Sequence, residues 1–409
     1  MTGRRVVVTG VGTVSAMGPT ADAFWLALQE GRSGIRPLSG FDGNDLGFAC
    51  GAQILDYDEQ QHFDRKGCAV LDRFAQLFVV AAREAIQSSG LVFGPELQRM
   101  TGVITGSCLG GQTTHEEAYR DIYRDNRPRI GPFMIPRAMD NAGASRLTIE
   151  YGIRGPSFTV STACASSAHA IGLAFWLVRQ GMIDAAVTGG SETPFTWVNL
   201  KAWEGMRVMS PDVCRPFSKD RQGLVLGEGA AAIVLETLDH ALARGAPVLA
   251  EIVGCGMSAD AHHLTMPAPD GSVLAIENCL SDAGLHPEDI DYINAHGTGT
   301  RANDSVETRA VRQAFGAAAD RLAISSTKSM HGHTLGAAGA IESAATILAI
   351  QHGVVPPTIA FNEPDPECDL DNVPNTARPL AIDCALSSSF AFGGLNVVLA
   401  FRRWNEATN

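Results

Sequence analysis

The sequence predicts an α/β fold built from two similar halves, and three observations carry that expectation. Strand-like apolar runs alternate with helical ones from end to end. Hydrophobic residues make up 45% and charged residues 18% of the 409, enough for a large core. An internal echo links Arg4-Arg-Val-Val-Val-Thr-Gly-Val-Gly12 with Val248-Leu-Ala-Glu-Ile-Val-Gly-Cys-Gly256: an apolar strand, G-x-G, then Ser15 or Ser258. The halves are expected to divide at the turn Arg244-Gly-Ala-Pro247, into residues 1–247 and 248–409.

Taken in order, Val6–Thr9 is a short β-branched run closed by Gly10 and Gly12. The pattern there is G-x-G-x-x-S, without the third glycine or the acidic residue of a dinucleotide fingerprint, so it reads as a tight strand-to-loop turn. Arg73–Ser88 has helical periodicity. Thr101–Thr105, Asp184–Thr188, Ala230–Leu235 and Ile290–Asn294 read as buried strands. The proline-rich stretch Pro356–Pro379 reads as a surface loop.

Bulk properties exclude several function classes. A net charge of -13 with no Lys/Arg-rich run argues against nucleic acid. Nine cysteines without a C-x-x-C pair read as reduced thiols. No apolar run reaches the ~18 residues of a membrane span. The segment from Met1 to Gly10 lacks a signal-peptide pattern, so a soluble, cytoplasmic protein is expected.

Three segments carry candidate chemistry. In the first, Ser157–Val178, a strand leads to Cys164 among small residues and then to an almost wholly apolar helix. A cysteine at a helix N-terminus faces backbone N–H groups that favour its thiolate, so a lowered pKa is expected. On this segment alone, a buried structural thiol is an equal alternative. In the second, Asn294-Ala-His-Gly-Thr-Gly-Thr300, His296 stands where a strand gives way to glycine-rich backbone. In the third, a strand leads to Lys328, then to a turn with His331 and His333, then to a small-residue helix. His331-x-His333 and His262-His263 lack a carboxylate or cysteine at ligand spacing, so no metal is expected.

Together these segments resemble the β-ketoacyl-acyl-carrier-protein synthases, the elongating condensing enzymes of the thiolase superfamily. The likeness spans the chain. It takes in VVVTGVG, Gly106-Ser107, the Cys164 elbow, Gly189-Gly-Ser-Glu192, Arg215-Pro-Phe217 and Gly227-Glu-Gly229, and runs through NAHGTGT and STKSMHGHTLGAAGA to Ser389-Phe-Ala-Phe-Gly-Gly-Leu-Asn396.

The resemblance implies a thiolase-like five-layered α-β-α-β-α sandwich and a dimer, with a second identical or homologous subunit. It implies decarboxylative condensation of a Cys-bound acyl chain with malonyl-acyl-carrier-protein, in fatty-acid or polyketide synthesis. No resident cofactor is implied, since phosphopantetheine arrives on the acyl carrier protein.

Residue by residue, Cys164 resembles the acyl-accepting nucleophile, and His296 and His333 the pair that promotes decarboxylation. The N–H groups of Cys164 and Phe392 would form the oxyanion hole. Lys328 resembles the active-site lysine, held by Glu342 with Asp304 and Glu307 nearby; a purely structural ion pair is the equal alternative. Thr298 and Thr300 resemble the pantetheine-binding hydroxyls, Phe390 and Phe392 the gate, and Leu109, Met134 and Trp203 the acyl pocket. Arg65, Lys66, Arg73 and Arg207 are the carrier-docking candidates. A degradative thiolase would carry a second Cys where His333 stands, and a non-catalytic partner subunit would lack Cys164.

The chain departs from the pattern at four places. His331 stands where a small residue is common, and its ring is expected to face a neighbouring strand. Ala391 replaces glycine between the gate phenylalanines, a stiffer choice wherever positive φ is needed. Ala69 and Val70 replace frequent basic residues, which points to a dedicated carrier. Trp203 replaces Phe, which points to a substrate other than a standard long saturated chain.

Overall fold

The structure is a computed structural model that describes residues 3–41 and 46–405. Met1 and Thr2, where the N-terminal reading above begins, lie outside the described residues.

Ten strands form the main sheet: β1 (Val6–Ser15), β2 (Thr101–Gly106), β3 (Ser157–Val160), β4 (Ala185–Glu192), β5 (Gly229–Thr237), β6 (Ala250–Ala259), β7 (Tyr292–Asn294), β8 (Ala323–Ser325), β9 (Cys384–Ala391) and β10 (Leu395–Arg402). Their spatial order is β8-β7-β9-β10-β6-β1-β5-β4-β2-β3. The order is a palindrome: each strand of the first five has its counterpart five places later in the chain. Parallel and antiparallel pairings repeat in the same way, and β1 meets β6 antiparallel, with Val7 opposite Glu251. The weak echo in sequence is thus a strong echo in topology.

Among the helices that layer the strands are α1 (Arg73–Ser89), α2 (Ala142–Tyr151), α3 (Ser166–Arg179), α4 (Pro269–Ala283), α5 (Arg301–Phe315) and α6 (Ala338–His352). The helices α1 and α2 cover strands of the first half, and α4 covers β6 and β10 with α5 beside it. Between the halves, α3 packs on α6, and each also touches strands of both halves. Every residue of α6 from Ala338 to Ile350 is buried, which its small and apolar composition permits on all sides. The result is an α-β-α-β-α sandwich, as the resemblance implied.

The glycines of the echo do something other than turn the chain. Strand β1 continues through Gly10 and Gly12 to Ser15. A Cβ at Gly10 would lie 2.0 Å from the Ala85 carbonyl oxygen, and one at Gly12 2.1 Å from that of Ala81, both on α1. In the second half, a Cβ at Gly256 would lie 2.1 Å from the Ala275 carbonyl oxygen on α4. These glycines let a helix lie directly on a strand. The strand-to-loop turn expected here is therefore corrected.

The stretch Pro356–Pro379 is likewise more than a surface loop. Thr358, Cys368, Leu370 and Val373 are buried, Asp371 bridges to Ala323 at the end of β8, and Arg378–Pro379 pairs with Val354–Val355. All nine cysteines are free thiols. Among the described residues, no helix is long and apolar enough to cross a membrane.

Candidate active site

Strand β3 ends at Val160 and α3 begins at Ser166, so Cys164 occupies the elbow between them. The elbow is tight: Ala163 adopts φ 49°. Ser166 clamps it, its hydroxyl donating to the Ala163 carbonyl at 2.6 Å and accepting from the Thr162 N–H at 2.9 Å. Cys164 is buried at 5% exposure. Burial pushes its thiol up to about 11, against the pull of Lys328 and a hydrogen bond from the Phe392 backbone N–H. The lowered pKa expected from the helix terminus is thus corrected: desolvation outweighs the oriented N–H groups and the nearby cation.

His296 follows β7 by two residues, and helix α5 holds its loop. Glu307 accepts the N–H groups of His296 and Gly297, both at 2.7 Å. Asp304 accepts those of Thr298 at 3.1 Å and Gly299 at 3.2 Å, and on its other oxygen that of Phe217 at 2.9 Å. Both carboxylates therefore brace the backbone of the His296 loop. Among the described residues, the carboxylate that pairs with Lys328 is that of Glu342.

His333 follows the short helix Lys328–His331 and Gly332. Its backbone is pinned on both sides, donating to the Val225 carbonyl at 2.6 Å and accepting from Gly227 at 3.0 Å. The His296 and His333 rings lie 5.4 Å apart, edge to face at 85°. Burial pushes both imidazoles well below their ordinary pKa, and the Lys328 charge adds to the effect. Both are neutral at physiological pH.

Each ring has a donor at Nδ1. Lys328 Nζ lies 3.3 Å from Nδ1 of His296, and the Leu335 N–H lies 3.3 Å from Nδ1 of His333. A neutral imidazole that accepts at Nδ1 carries its proton on Nε2. The two rings therefore offer two Nε2–H donors.

One cavity collects Cys164, His296 and His333 together with Thr298, Thr300, Trp203, Phe390 and Phe392. The hydroxyls of Thr298 and Thr300 lie 2.9 Å apart. Trp203 stacks on Phe392 at 6.1 Å and 25°. Phe390 belongs to β9, so only Phe392 lies in the glycine turn. Ala391 closes β9 without a positive φ, so no left-handed strain arises there.

The other expected positions fall elsewhere. Leu109 packs against the core around Cys164 rather than lining this cavity, and half-buried Met134 opens a short helix that is not among the cavity's lining. Arg65, Lys66 and Arg207 are exposed. Arg73 is half-buried: it grips Glu228 with two nitrogens at 3.0 Å and donates to the Ile54 carbonyl. His331 does not face a strand. Its Nε2 pairs with the Thr327 hydroxyl at 3.0 Å and its Nδ1 with the Gly332 carbonyl at 2.8 Å, and burial pushes it down to about 3. Among the described residues, no three His, Cys, Asp or Glu side chains cluster as a metal site.

Sequence reasoning missed the Leu264–Pro267 segment at the cavity mouth, whose Leu264 carbonyl accepts the Gly393 N–H beside Phe392. It also missed any role for the buried Glu192, which closes the motif Gly189-Gly-Ser-Glu192.

The chain is similar to known proteins along both of its halves. The family model described as "Beta-ketoacyl synthase, N-terminal domain" matches residues 3–241, and "Beta-ketoacyl synthase, C-terminal domain" matches 249–362. Nodulation protein E of Rhizobium sp. is 48% identical over 400 residues, covering 98% of this chain and 99% of that protein. A 3-oxoacyl-acyl-carrier-protein synthase 2 of Synechocystis sp. is 44% identical over 409 residues, covering 98% of each. The solved structure titled "The ishigamide ketosynthase/chain length factor" superposes with a TM-score of 0.94 at 36% identity, over 98% of this chain and 100% of that one. With both halves matched and full-length relatives at this identity, the chain belongs to the β-ketoacyl synthase family of condensing acyltransferases.

Proposed function

We propose that Cys164 accepts an acyl chain from an acyl carrier protein and that His296 and His333 then drive condensation with malonyl carrier. In the first step the Cys164 sulfur attacks the acyl thioester carbonyl. A new C–S bond forms, the pantetheine thiol leaves with the cysteine proton, and the N–H groups of Cys164 and Phe392 hold the oxyanion. In the second step the malonyl carboxylate leaves as carbon dioxide, and its electron pair becomes an enolate. That enolate carbon attacks the acyl carbonyl. The β-ketoacyl chain stays on the carrier, and the released Cys164 thiolate regains a proton from water.

The observation that carries this reading is the pair of neutral imidazoles with Nδ1 occupied, sharing a cavity with the thiol. Two N–H donors stabilise an enolate oxygen without giving it a proton. Lys328 acts as a positioning residue for His296, Thr298 and Thr300 receive the pantetheine arm, and Trp203 with Phe390 and Phe392 surround the entering chain. Exposed Arg65, Lys66 and Arg207 are the docking cations for an acidic carrier, offsetting the overall negative field. The halves 1–247 and 248–409 supply the nucleophile and the histidine pair respectively. The working assembly is a dimer with an identical or homologous subunit.

A condensation assay with purified acyl carrier protein tests this. Equal amounts of β-ketoacyl carrier and carbon dioxide are expected. Acyl exchange without carbon dioxide would make the chain a thiolase-type enzyme instead, and no turnover at all would fit a partner subunit.

A further inference from the structure

Glu192 ends strand β4 and is fully buried. Donors from two distant segments surround it, Ser107–Leu109 on one side and Gly336 on the other. One oxygen accepts the Ser107 hydroxyl at 3.1 Å and the Leu109 N–H at 3.2 Å. The other accepts the Cys108 N–H at 2.8 Å and the Gly336 N–H at 3.2 Å. A carboxylate that only accepts matches this set, and burial pushes it up to about 7.

The two segments matter to different steps. Leu109 and Cys108 pack on the core around Cys164. Gly336 belongs to the turn whose Leu335 N–H occupies Nδ1 of His333, and Leu335 adopts φ 48° there. A Cβ on Gly336 would lie 2.4 Å from the Glu192 oxygen and 2.6 Å from the Cys108 nitrogen. The turn beside His333 is thus pressed onto the loop beside Cys164, and Glu192 is the group that joins them.

We propose that Glu192 is a positioning residue that holds the Leu335–Gly336 turn, and through it the Nε2–H form of His333, in register with the Ser107–Leu109 loop. This rests on the role proposed above for His333. Removing the carboxylate orphans the donors of both segments. The turn then drifts, Nδ1 of His333 loses its partner, and both neutral tautomers become populated.

The test reads ring protonation by NMR of the protein labelled with nitrogen-15 histidine, alongside carbon dioxide release from malonyl carrier. In the wild type, His333 must show Nε2–H; if it shows Nδ1–H, the proposed role of His333 fails before Glu192 is tested. Glu192→Ala is expected to give mixed tautomers and at least tenfold slower carbon dioxide release with KM unchanged. Glu192→Gln is expected to rescue both, because its amide oxygen still serves Cys108 and Gly336. Its amide nitrogen then opposes the Leu109 N–H, which shifts the rates at which acyl chains of graded length load Cys164. A folded Glu192→Ala variant with an unchanged tautomer and rate overturns the proposal. Should that variant not fold, an unchanged loading profile in Glu192→Gln overturns it.

Discussion

Nζ of Lys328 lies 3.3 Å from Nδ1 of His296 while the same ammonium pairs with Glu342, all three side chains fully or almost fully buried. The lysine thus makes two contacts whose effects separate by mutation. Lys328→Ala leaves a buried carboxylate uncompensated, a loss of ~3–5 kcal/mol of stability. Adding Glu342→Gln to Lys328→Met is expected to restore most of the stability but not carbon dioxide release, because His296 still lacks its Nδ1 donor. Thermal unfolding and the decarboxylation rate check the two effects separately.

Each imidazole donor is expected to count in the same way. His296→Ala and His333→Ala should each slow decarboxylation by ~10²–10³, as for loss of one oxyanion donor. Acylation of Cys164 should persist in both. Single-turnover assays of the two half-reactions distinguish this from a general loss of fold.

The pH dependence of Cys164 follows from its burial. A thiol with its pKa raised to about 11 is overwhelmingly protonated near neutrality. Iodoacetamide alkylation of Cys164 should then rise ~tenfold per pH unit through the neutral range, because the thiolate is the nucleophile. A plateau below pH 9 would mean that Lys328 and the N–H groups outweigh desolvation after all.

Gly12→Ala would force a methyl group against the Ala81 carbonyl on α1. Overpacking of this kind costs ~1–3 kcal/mol. Gly205→Ala, at a site with open space around its Cβ position, is expected to be neutral or stabilising. Denaturant titration compares the two.

Trp203 stacked on Phe392 makes the cavity beside Cys164 aromatic on two sides. Trp203→Ala is expected to change which acyl chains load, and Trp203→Phe to keep much of the native preference. Smooth extension by the native protein to long saturated products would contradict the expected departure from a standard substrate.

That Cys164, His296 and His333 belong together was readable in the sequence because they sit in turns of small residues, which announce crowded backbone, and they line one cavity. What was misread depends on distance in the chain. A glycine that makes room for a helix looks the same in sequence as one that turns a strand, so Gly10 and Gly12 gave no sign of α1. Arg73 looked free because Glu228 lies 155 residues away. The depth of Cys164 below the surface, which sets its pKa, emerges only when α3 is sandwiched between the two halves. Glu192 escaped notice because its donors come from residues 107–109 and 336.

Intact-protein mass spectrometry after incubation with acyl carrier protein bearing an acyl chain tests the central claim most directly. A single acyl adduct is expected, mapping to Cys164 among the nine cysteines. It should discharge on addition of malonyl carrier, with one carbon dioxide released per adduct lost. An adduct on another thiol, or one that malonyl carrier leaves in place, would contradict the account.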